Sequence, residues 1–106
     1  MIITTAETIK GKEIQKTIGL VRGNTIRARH VGKDIMAVIR TLVGGEISEY
    51  TKLMAEAREQ ALDRMEAEAT RLGANAVVGA RFSTSVVLGG AAELLAYGTG
   101  VVISED

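Results

Sequence analysis

In residues 48–72 the apolar side chains Tyr50, Leu53, Met54, Ala57, Ala61, Met65 and Leu72 form one stripe at helical spacing, with charges on the other faces. That period makes one long amphipathic helix. Ser48 is suited to cap its start and Gly73 to stop it. Arg64 with Glu68, and Glu68 with Arg71, are pairable neighbours on its surface. Leu62, off the main stripe, predicts a second, minor contact. At about 1.5 Å per residue such a helix is about 36 Å long, against about 17–20 Å for a common strand. It is expected to overhang its own sheet and to need support from a neighbouring subunit.

The chain has 106 residues, room for a single domain, 1–106, and not for two. Hydrophobic residues at 46% and charged ones at 25% exclude a disordered or low-complexity protein. Without cysteine there are no disulfides, thiolate metal sites or cysteine nucleophiles. Proline is absent too, so the bends fall to the twelve glycines. Tyr50, Phe82 and Tyr97 are the only aromatics, which leaves the core to aliphatic side chains and alanine. Small domains lacking covalent or metal staples gain stability by associating, so a homo-oligomer is expected. No stretch resembles a signal peptide or a membrane span, and the expected address is the cytoplasm.

Around the helix the chain reads as strands and one shorter helix. Ile2 to Thr5 is a short β-branched strand. Between Glu13 and Arg29, Ile14, Ile18 and Leu20 alternate loosely with Gln15, Thr17 and Val21. Gly23-Asn24 is a reversed hairpin signal, so the segment is either one bent strand or two strands about a turn. Ile35, Met36, Ile39, Leu42 and Val43 recur at helical spacing, ended by Gly44-Gly45. From Ala76 the residues Val78, Ala80, Phe82 and Thr84 alternate with Val77, Gly79, Arg81 and Ser83. Asn75 suits the turn before this strand, and Gly89-Gly90 turns the chain back after it. Ala92 to Ser104 sets Leu95, Tyr97, Val101 and Ile103 against Leu94, Ala96, Gly98, Gly100 and Val102. Both faces of this last strand are apolar or small, as in a strand covered on both sides, here by helix and by another chain. Gly98 and Gly100 also permit close backbone approach.

Charge cancels over the whole chain but not along it. Residues 1–45 hold eight bases against three acids, and residues 46–72 hold seven acids against four bases. The two halves are expected to satisfy each other within the fold or across a subunit boundary. Dispersed bases with no aromatic in residues 1–45 argue against a nucleic-acid surface. The paired glycines fit no phosphate-binding frame. Ser83, Thr84 and Ser85 have no local base, and Glu56, Glu59, Asp63 and Glu66 read first as a solvated helix face. No catalytic constellation is visible, and the chain is not expected to be an enzyme.

His30 is the only histidine. It stands four residues before Asp34, so on an early-starting helix the two share a face and offer a divalent ion two donors. A tight site needs more, and a cyclic oligomer would multiply them. The plainer reading places His30 at a surface and pairs Asp34 with Lys33 or Arg29. Met36, Met54 and Met65 fall on apolar stripes and read as packing.

Lys33-Asp34-Ile35-Met36-Ala37-Val38-Ile39-Arg40-Thr41-Leu42-Val43-Gly44-Gly45, then Tyr50, Ala57-Arg58-Glu59 and Leu72-Gly73-Ala74-Asn75-Ala76-Val77-Val78-Gly79, resemble the YbjQ family of small prokaryotic proteins. Ile2-Ile3-Thr4-Thr5 and Tyr97-Gly98-Thr99-Gly100-Val101-Val102 extend the likeness over the whole chain. The resemblance implies a two-layer α+β subunit of the β-α-β-β type with extra short strands. With the pattern above, the expectation is an antiparallel-type sheet on one long and one short helix. The resemblance further implies a ring-shaped homopentamer and a label of heavy-metal binding. The expected ligand is a divalent or heavy-metal ion, with His30 and Asp34 as local donors. The alternative is a non-enzymatic ring, structural or small-ligand-binding, that uses its inter-subunit clefts.

Overall fold

The computed structural model describes residues 1–27, 48–87 and 91–105. In chain order they form β1 (Ile2–Ile3), β2 (Ile14–Arg27), α1 (Ser48–Arg71), β3 (Ala76–Val87) and β4 (Ala91–Ile103). The strands make one sheet in the order β1-β3-β4-β2. β2 and β3 both run antiparallel to β4, whereas β1 pairs with β3 in parallel. The α+β expectation holds, but the sheet is mixed rather than wholly antiparallel, because the N-terminal strand enters beside β3 in the same direction. The predicted short helix lies outside the described residues. No described helix is long and apolar enough to cross a membrane.

α1 lies on one face of the sheet. Ala57, Ala61, Met65 and Ala69 are buried at strict four-residue spacing, one ridge of the helix. Ala61, Met65 and Ala69 meet Val21, Ala74, Val77, Ala80 and Ala96, with Ile3, Ile18 and Leu62 at the margin. Leu62 thus makes the predicted minor contact. Leu72 does not belong to the stripe: it falls after the last helical residue and is 41% exposed. Alanine carries most of the helix side of this contact, so helix and sheet approach closely. A Cβ on Gly23 would lie 2.5 Å from Ala61 O and overlap the Met65 amide. On Gly98 or Gly100 it would meet Val77 Cγ1 at 2.8 Å or Val21 Cγ1 at 3.0 Å. The close approach expected of Gly98 and Gly100 is present. Gly23-Asn24 makes no turn, and β2 runs through it as one irregular strand.

At the helix C-terminus Ala74 N–H bonds to Ala69 O at 2.9 Å and Gly73 N–H to Thr70 O at 3.1 Å. This is a Schellman ending, with Gly73 at φ +94° in the left-handed conformation it requires. Asn75 then acts as part of the sheet. Its Nδ2 donates to Ile103 O and its Oδ1 accepts from Ile103 N–H, at 3.1 and 2.7 Å.

Bulges decide which side chains share a face. One between Val78 and Arg81 puts Ala80 on the helix side with Val77, not with Val78 as strict alternation predicts. Irregularities between Ile14 and Lys16 and between Thr17 and Gly19 likewise leave Ile18 with the helix-side cluster and Ile14 on the other face. There Ala76, Val78, Val101 and Ile103 form a second cluster covered by Ile9 and Ile14. One end of β4 is therefore covered on both faces by its own chain, not by another.

The strands are long: β2, β3 and β4 have 14, 12 and 13 residues. At about 3.3 Å per residue they match or exceed the helix in length, contrary to the expected order. Residues 81–85 of β3 are exposed. The molecule measures 52 × 26 × 17 Å, with a radius of gyration of 17.0 Å.

Candidate functional site

His30 and Asp34 lie outside the described residues, as do Met36 and Gly44-Gly45. Among the described residues, no group of three or more His, Cys, Asp or Glu side chains is placed to hold a metal ion. Met65 is fully buried in the helix–sheet core, which is the packing role expected of it. Ser83, Thr84 and Ser85 are exposed on the outer part of β3.

The sheet face turned away from α1 assembles a group of side chains that no local sequence motif announces. Residues directly opposite on paired strands share a face. Arg22 is opposite Tyr97, and Tyr97 is opposite Arg81. The three form a row across β2, β4 and β3, a half-buried phenol ring between two exposed arginines. The next rows are Asn24, Leu95, Ser83 and then Ile26, Glu93, Ser85. Leu20 flanks the arginine row on the other side, opposite Thr99. Leu20 is 62% exposed and Ile26 60%, so two large aliphatic side chains bracket the arginine row in solvent.

Polar contacts on this face are few. Asn24 Nδ2 donates to Glu93 Oε2 at 2.9 Å, so this face also carries a carboxylate. Arg81 Nη1 donates to Thr5 O and Ala80 O, both at 2.9 Å, which holds one side of its guanidinium against backbone. The guanidinium of Arg22 has no hydrogen bond or ion pair among the described residues. Neither arginine has a carboxylate partner there.

The opposite surface carries the other sign. Glu56, Glu59, Asp63 and Glu66 follow at intervals of three, four and three, a single ridge on the side of α1 away from Ala57, Ala61, Met65 and Ala69. Glu56, Glu59 and Asp63 are exposed, and Glu66 Oε1 lies 3.5 Å from the Met1 amino group. The expected contact between the basic and acidic parts of the chain is seen here as this terminal pair. Arg64 and Glu68, expected to pair along the helix, reach the free edge of β2 instead. Glu68 Oε1 accepts the Arg22 N–H at 3.0 Å, and Arg64 Nη1 donates to Asn24 O at 2.6 Å.

The chain has one histidine and no cysteine, so it offers no thiolate to a thiophilic metal.

A family model described as "Putative heavy-metal-binding" matches residues 1–104. A UPF0145 protein of Methanosarcina acetivorans is 59% identical over 103 residues, covering 97% of each chain. Another, of Methanococcus vannielii, is 58% identical over 105 residues, 99% of this chain and 100% of the relative. A third, of Dehalococcoides mccartyi, is 57% identical over 103 residues, 97% of this chain and 99% of the relative. The crystal structure of a protein of unknown function from Pediococcus pentosaceus superposes with a TM-score of 0.59 over 98% of both chains, at 19% identity. That likeness shows a shared fold. With the match running nearly end to end, the chain belongs to the YbjQ family, whose close relatives here are UPF0145 proteins.

Proposed function

We propose that this chain works as a cytoplasmic ring-shaped homo-oligomer, a pentamer by its family resemblance, that binds a divalent metal ion at a site repeated around the ring. The observation that carries the assembly is apolar exposure on the sheet: Leu20 is 62% exposed and Ile26 60%, contact that a neighbouring copy would cover.

Metal binding is supported by the family's description and by the four-residue spacing of His30 and Asp34. One copy brings two donors there, fewer than a tight site holds, and copies converging around a ring would complete the set. Native mass spectrometry tests the assembly, with particles expected at five times 11.2 kDa. Titration calorimetry with zinc and nickel tests the metal. Binding tighter than millimolar that His30→Ala abolishes is expected, and binding untouched by that substitution would remove the assignment.

The second reading is a non-enzymatic ring that holds a small organic ligand between subunits. It is favoured by the exposed Leu20 and Ile26, which offer apolar contact that a metal site does not use. An organic molecule retained by the intact particle, with metal near background, selects it.

A further inference from the structure

We draw no further inference here: the strongest candidate, the row of Arg22, Tyr97 and Arg81 across the sheet face turned away from α1, belongs to the surface already proposed to meet a neighbouring copy, and nothing in the structure shows what else it would hold.

Discussion

Gly23 carries more of the helix–sheet contact than its size suggests. An added methyl would come within 2.5 Å of Ala61 O and 2.7 Å of Arg64 C, atoms of helix backbone that do not rotate away. Gly23→Ala is expected to lower the unfolding free energy in urea by about 1–3 kcal/mol, the usual cost of overpacking. Gly73→Ala is expected to cost about 1 kcal/mol for a different reason. Nothing lies near its missing Cβ, but its φ of +94° is one that L side chains rarely adopt. Asn75→Ala removes two part-buried hydrogen bonds to Ile103 and is expected to cost about 1–3 kcal/mol. In the sequence these three residues look alike, as small or polar punctuation. Gly73 was legible because it follows a helical period, and Asn75 was placed but not its ladder role. Gly23 read as a turn because a glycine required by another element's proximity leaves no trace in its own neighbours.

At the scale of elements, hydrophobic period revealed α1 within one residue of its end, and it revealed the two-faced apolar character of β4. It failed where a residue is inserted. The bulge at Gly79 and Ala80 reverses the inward and outward sets of β3, and those in β2 separate Ile18 from Ile14, because a one-residue slip exchanges the faces of a strand. The parallel pairing of β1 was equally hidden, since two residues carry no register. The edge guard on β2 belongs here too. Arg64→Met with Glu68→Met keeps side chains of similar length and removes the groups that close the Arg22 N–H and the Asn24 C=O. The fold is expected to lose about 1 kcal/mol, as exposed contacts do. Its newly open edge is expected to promote fibrillar association, followed by static light scattering against wild type. Unchanged scattering after prolonged incubation would show that β2 is protected by its bulges alone.

At the scale of the whole molecule, self-association is proposed from the sheet, one face of which keeps Leu20 and Ile26 in solvent. The charge asymmetry was readable along the chain, but only the strand register brings Arg22 and Arg81 to either side of Tyr97. His30 and Asp34 could be paired by spacing alone, and the ions they would hold depend on what other copies bring beside them. Small-angle X-ray scattering at micromolar concentration tests self-assembly most directly, because forward intensity gives mass and the Guinier slope gives size from one sample. Assembly predicts a mass several times 11.2 kDa with a radius of gyration well above the 17.0 Å of the single chain. A stable 11.2 kDa particle of that smaller radius, unchanged as concentration rises, would contradict it.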